Sequence, residues 1–187
     1  MPELTEMSGR LASPKKPTPA EILVSVAARK IEETIRTKNY RLALCGIGVS
    51  NLAAWVAYYN LRRQVYPLKL VAEIGYYGYS PQPADPYVFN LRNIPSCRMI
   101  PDIFTSLAFF MSGAHTSSVG ILGAGQVDKF GNVNTTKISD AGPYLVGSGG
   151  ANDVTSGASE TIVTLEQSKN RFLEQVDYIT SPGVRVS

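Results

Sequence analysis

Four short, nearly unbroken apolar runs alternate along this chain with helical patterns, and they constrain its fold most. The runs are Leu42–Cys45 closed by Gly46, Leu68–Ala72 closed by Glu73 and Gly75, Ser118–Leu122 closed by Gly123, and Thr161–Leu165. A strand apolar on both of its faces is buried on both faces, which is the habit of parallel sheets covered by helices. Helical patterns fall at 51–63, 104–111 and 149–158, between or after these runs. The expected fold is therefore α/β, an open, mainly parallel sheet with helices on both faces. In such sheets ligands gather beyond the C-terminal ends of the strands.

The first helix announces its own start. Thr18 is placed to cap it, Pro19 to open the first turn and Glu21 to close a capping box. Ile22, Val26 and Ile31, with Ala27 and Ala28 between, give the expected apolar stripe. Residues 1–18 hold Pro2, Pro14 and Pro17 with few apolar residues, and read as a flexible arm before a single domain over 19–187. The stretch from Tyr76 to Pro101 reads as a long aromatic and Pro-rich loop. Asp102 is placed to cap the helix at 104–111, and the last strand is expected at Phe172–Ile179.

Bulk properties exclude several classes. The 187 residues carry a net charge of +3, with 18 Lys and Arg scattered rather than clustered, so no phosphate-tracking surface for nucleic acid is expected. Cys45 and Cys97 stand apart and His115 is the only histidine, so no metal site is expected. The N-terminal residues hold no apolar leader run, and the most apolar stretch, 44–61, is broken by Gly, Ser and Asn. No membrane span is expected, and the reading is cytoplasmic.

The chemistry-bearing residues lie at strand ends. Glu73 closes the second strand. Two glycine-rich loops, 123–134 (Gly-Ala-Gly-Gln-Val-Asp-Lys-Phe-Gly-Asn-Val-Asn) and 147–153 (Gly-Ser-Gly-Gly-Ala-Asn-Asp), follow the third strand. A carboxylate is ionised at neutral pH and attacks an acyl group without a general base. Gly149, Gly150 and Ala151 offer backbone N–H donors for the oxyanion that each addition creates, and Asn152 adds an amide. Glu73, the Gly46 turn and Gly123-Ala124-Gly125 are expected to converge on one crevice, with Gly46, Gly48, Gly75, Gly125 and Gln126 lining its acyl or coenzyme A pocket.

The 123–134 motif resembles the small-subunit (β, or B-type) signature of family I coenzyme A transferases, the glutaconate and 3-oxoacid transferases among them. The 147–153 loop is similar to that family's Gly-Gly-Ala loop, and residues 172–183 to its later strand and turn. The resemblance runs from about Ala20 to Gly183. It implies that Glu73, at the end of the second strand, is a nucleophile that forms a covalent glutamyl-CoA thioester. It also implies coenzyme A as substrate with no tightly bound cofactor, a carboxylic acid as acceptor, and an α-type partner subunit in an α2β2 assembly. Two departures stand out. Ile74 follows the glutamate where the family pattern has asparagine, and family members continue through further strands beyond the point where this chain ends at Ser187.

Other readings stay open beside it. An acyl-CoA hydrolase of the same fold, or a non-catalytic partner subunit, would share these motifs. Gly46-Ile47-Gly48-Val49-Ser50-Asn51 with Glu73 partly mimics a dinucleotide fingerprint, but Asn51 stands where a third glycine belongs. Tyr76, Tyr77 and Tyr79 are candidates for an acyl pocket or for packing. Ser50 lacks the Gly-x-Ser-x-Gly context of a hydrolase triad.

Overall fold

The computed structural model describes residues 16–83, 91–112, 117–139 and 142–183. The expected N-terminal arm falls almost wholly outside them, as does His115. A five-stranded sheet has the order β3-β2-β1-β4-β7, built from β1 (Leu42–Cys45), β2 (Lys69–Ala72), β3 (Tyr76–Tyr79), β4 (Ser118–Gly123) and β7 (Glu160–Thr164). β1, β2, β4 and β7 run parallel, and β3 returns antiparallel on the edge. A smaller sheet has the order β6-β5-β8, from β5 (Gln126–Asp128), β6 (Val133–Asn134) and β8 (Phe172–Leu173).

Two long helices cover one face. In α1 (Pro19–Lys38) the capping box forms as the sequence demands: Thr18 Oγ1 accepts from the Glu21 N–H at 3.2 Å, and the Glu21 carboxylate accepts from the Thr18 N–H at 2.7 Å. Of the expected stripe Ala27, Ala28 and Ile31 are buried, joined by Val24 and Ile35, whereas Ile22 and Val26 are 50% and 57% exposed. α2 (Val49–Arg63) buries Ala53, Ala54 and Ala57. These short side chains let α1, α2 and the sheet approach closely, and Ala27 and Ala28 centre the buried stripe of α1 between Val24 and Ile31. Burial puts Cys45 in this core, where its thiol is pushed up to about 12, leaving it inert.

The other face is thinner. Leu44 and Val71 meet Leu107 and Met111 from the turn beyond Asp102, together with Leu122 and Val154. That turn is not the regular α-helix expected at 104–111. Asp102 does cap it, its Oδ1 accepting from the Thr105 N–H at 2.7 Å, but Thr105–Phe109 widens into a π-helical turn. α3 is short, Ala151–Gly157, beginning two residues later than expected. It lies flat because β4 has glycine beneath it: a Cβ on Gly120 would stand 2.5 Å from Val154 Cγ1.

Two further expectations are corrected. The stretch after Glu73 is not simply loop, since Tyr76–Tyr79 forms edge strand β3 and Leu91–Ser96 a 3₁₀ helix. The last strand stops at Leu173 instead of running to Ile179. Beyond it the backbone turns to side-chain acceptors: the Val176 N–H donates to Asp128 Oδ2 and the Asp177 N–H to Gln126 Oε1. These two N–H groups are thereby withdrawn from a ladder, and backbone pairing resumes only at Thr180 and Ser181, which donate to the Val133 carbonyl.

Candidate active site

Glu73 stands in a three-residue hairpin loop between β2 and β3, with Ala72 paired to Tyr76 and the Gly75 N–H donating to the Ala72 carbonyl at 3.0 Å. Such loops demand a left-handed residue at their third position, and Gly75 supplies it with φ +97°. The position is glycine for a second reason. A Cβ there would stand 2.2 Å from the Pro101 carbonyl oxygen. The loop is thus wedged from behind, and Glu73 projects from it half-buried while Ile74 is exposed.

Across from it lies the 147–150 loop, brought there by packing. Val71 of β2, Leu107 and Val154 of α3 share one apolar cluster. The Gly150 N–H donates to Glu73 Oε2 at 3.1 Å, the one hydrogen bond to Glu73 among the described residues. The carboxylate also occupies the space of a missing side chain, for a Cβ on Gly150 would stand 2.2 Å from Oε2 and 3.4 Å from Leu107 Cδ1. Gly149 is close as well, its Cβ position 3.8 Å from Glu73 Oε1, and its φ of +50° favours glycine. The Ala151 N–H is taken by the Ser148 carbonyl, and Asn152 is exposed with its Oδ1 accepting from Ser156 Oγ at 3.2 Å. Of the expected donors, Gly150 therefore meets Glu73 directly, Gly149 flanks it, and Ala151 and Asn152 face their own helix.

Gly46 and Gly48 lead elsewhere. Gly48 (φ +81°) opens α2 with no side-chain cap, and the Gly46 N–H donates to the Ile121 carbonyl at 2.8 Å. Gly48, but not Gly46, lines a crevice of about 410 Å³ with Gly123, Ala124, Glu166 and Arg171, at the C-terminal ends of β1, β4 and β7. The sheet order reverses between β1 and β4, so this is its topological switch point. Glu73 does not line that crevice. The expected single crevice is thus two neighbouring features, because the β2–β3 hairpin carries Glu73 toward the thinner face.

Gly125 and Gln126 belong to the small sheet. Gln126 is buried, with Oε1 accepting from Asn134 Nδ2 at 2.7 Å and Nε2 donating to Asp177 Oδ2 at 2.8 Å. A Cβ on Gly125 would stand 2.4 Å from Leu145 Cδ1. Asp128 of the same motif accepts from the Phe130 and Asn132 N–H groups, from Asn132 Nδ2 and from the Val176 N–H, at 2.9–3.3 Å. Burial works to raise its carboxyl, but these bonds from Asn132, Val176 and Phe130 together hold it below the usual carboxylate range. The motif's polar residues mainly build a hairpin.

The tyrosines pack rather than line a pocket: Tyr76 and Tyr79 are buried, Trp55 Nε1 donates to Tyr79 Oη at 3.3 Å, and Tyr77 stacks on Phe110 at 4.3 Å. Pro101, which wedges the Glu73 loop with a backbone carbonyl, has no signal in sequence. No cluster of three potential metal ligands exists among the described residues, and no helix there is long and apolar enough to cross a membrane.

Residues 102–184 match the family model described as Coenzyme A transferase. The chain is 31% identical to the B-type subunit of glutaconate CoA-transferase from Acidaminococcus fermentans over 78% of its own length and 56% of that protein's. It is 30% identical to the B-type subunit of 3-oxoadipate CoA-transferase from Pseudomonas knackmussii over 87% of its length and 60% of that protein's. Its fold matches the crystal structure of glutaconate coenzyme A-transferase from Acidaminococcus fermentans with a TM-score of 0.73 and 28% identity, covering 90% of this chain and 63% of that one. The chain thus spans less than two thirds of the length of these relatives.

Proposed function

Proceeding from a chain that belongs to the coenzyme A transferase family and is similar to its B-type subunits, we propose that it moves coenzyme A between an acyl-CoA thioester and a carboxylic acid, with Glu73 as covalent nucleophile. The observation that carries this reading is a half-buried carboxylate on a wedged hairpin loop, held by a single backbone N–H. It is positioned and little engaged, which is what a nucleophile requires.

A Glu73 oxygen attacks the thioester carbonyl and the C–S bond breaks, giving a mixed acyl-glutamyl anhydride and CoA thiolate. The thiolate attacks the glutamyl carbonyl, releasing the first acid as its carboxylate and leaving a glutamyl-CoA thioester. The acceptor carboxylate repeats both steps in reverse, and Glu73 is regenerated with no net proton change. As Glu73 gives up its negative charge, the Gly150 N–H is released to a developing oxyanion. Gly149 lets the backbone follow closely. The switch-point crevice lined by Gly48 and Gly123 is proposed for the acyl or CoA chain, with Gly46 in the turn behind it and Gly125 and Gln126 as its frame.

The proposal includes an α-type partner subunit. Exposed Ile74, Met99, Ile100, Ile103 and Phe104 lie on or beside the loop that carries Glu73 and on its Pro101 wedge, and Phe109 is 70% exposed on the neighbouring turn. Apolar surface so near a reacting group supports a site completed by a second chain. The test is turnover of the chain alone and with its partner, using wild type, Glu73→Gln and Glu73→Asp. Ping-pong kinetics lost in both variants is the expected result. Turnover that never uses an acceptor acid would instead identify a hydrolase.

A further inference from the structure

At the far end of β2 from Glu73 the molecule has a second polar cleft. Lys69 begins the strand that Glu73 follows, so the two lie about 13 Å apart at ~3.3 Å per residue. The cleft has a volume of about 310 Å³, at the low end of the range for small-molecule sites. Three cations line it: Arg62 from the last turn of α2, Lys69, and Arg98 beyond the 3₁₀ helix. The hydroxyls of Tyr58, Ser80 and Ser96 stand among them, and no Asp or Glu contributes to the lining. None of the three cations forms a salt bridge among the described residues.

Two of the cations, Arg62 and Arg98, are held in place. Arg62 Nη1 donates to Ser80 Oγ at 3.2 Å, and Ser80 Oγ lies 3.0 Å from Tyr58 Oη. Ser96 Oγ accepts from the Ser80 N–H at 3.0 Å, tying the 3₁₀ helix to the strand end. Gly78 has φ +67°, and the Arg98 stem fills its missing side-chain space, with Cγ and Cδ each 3.1 Å from the Cβ position. Three like charges sharing one cleft repel, and a bound dianion converts that repulsion into charge-assisted hydrogen bonds.

We propose that this cleft binds a phosphate dianion, free or as the phosphate monoester end of a small molecule. It lies at the opposite end of β2 from the Glu73 loop, so the proposal stands independently of the transfer reaction. The test is titration of the chain with inorganic phosphate and with adenosine 3′-phosphate at constant ionic strength, followed by calorimetry. Binding of either is expected, with affinity lowered about ten-fold or more in Lys69→Gln and in Arg98→Gln and unchanged in Glu73→Gln. Lys69→Gln guards against misfolding, since the Lys69 head, unlike Arg98, supports no backbone turn. Tighter binding of the monoester identifies a phosphorylated metabolite as ligand, and equal binding identifies phosphate itself. Heat no greater than with chloride, or full binding by both variants, would overturn the proposal.

Discussion

Glu73 and Asp128 are two carboxylates in tight turns, and they are treated in opposite ways. Asp128 is buried and accepts four hydrogen bonds, which close the β5–β6 turn and stop β8. Glu73 is half-buried and accepts one. The first carboxylate is saturated and serves folding. The second is positioned by that one bond, which leaves it the open lone pairs that the proposed nucleophile needs. The contrast teaches that a residue of a specific motif can be saturated for folding, and on the proposed reading hydrogen-bond saturation is what separates the two carboxylates.

The sharpest way to break the comparison is to neutralise Glu73. Glu73→Gln should lower transfer by about 10⁴-fold or more while the melting temperature stays within error, because the amide fits the same place and cannot attack. A comparable loss of stability would move Glu73 into the class of Asp128. Gly75→Ala should follow. It faces both a left-handed φ and the Pro101 carbonyl, so a destabilisation of about 1–3 kcal/mol is expected together with at least a 10²-fold loss of turnover.

Gly150→Ala sharpens the comparison further. The backbone there, φ −83°, suits any residue, but the new Cβ takes the place of Oε2. Turnover should fall about 10²-fold with less than about 1 kcal/mol lost in denaturant titration. Unchanged turnover would remove the Gly150 N–H from the chemistry. Asp128→Asn should do the reverse, costing about 2 kcal/mol of stability and leaving the chemistry of the folded protein intact. The sign of its pH dependence follows from the depressed carboxyl. Its stabilisation is full above the unfolded-state value and is lost as pH falls through the folded value. Acid titration of stability should therefore be shallower in the Asn variant.

Much of this was legible in the chain. Thr18 and Glu21 announced α1, and the apolar runs located β1, β2, β4 and β7. The position of Glu73 was legible too, because the apolar run ends at Ala72 and Gly75 follows after two further residues. What stayed hidden arose from contacts distant in sequence. β3 was masked by Gly78 and the prolines beyond it, although Glu-Ile-Gly between two apolar runs is itself a three-residue hairpin signal. The end of β8 depends on Asp128 and Gln126, about 50 residues upstream, capturing its backbone. On α1 the burial of Ala27, Ala28 and Ile31 was legible, while that of Val24 and Ile35 in place of Ile22 and Val26 was not. The 123–134 motif is specific as a signature, yet Gln126 and Asp128 spend that specificity on a hairpin.

The most direct measurement is mass spectrometry of the chain, combined with its partner subunit, after incubation with acyl-CoA and no acceptor acid. The account predicts a CoA-sized adduct on the peptide containing Glu73, absent from Glu73→Gln and discharged when a carboxylic acid is added. Transfer that proceeds with no adduct on that peptide, or an adduct that persists in Glu73→Gln, would contradict it.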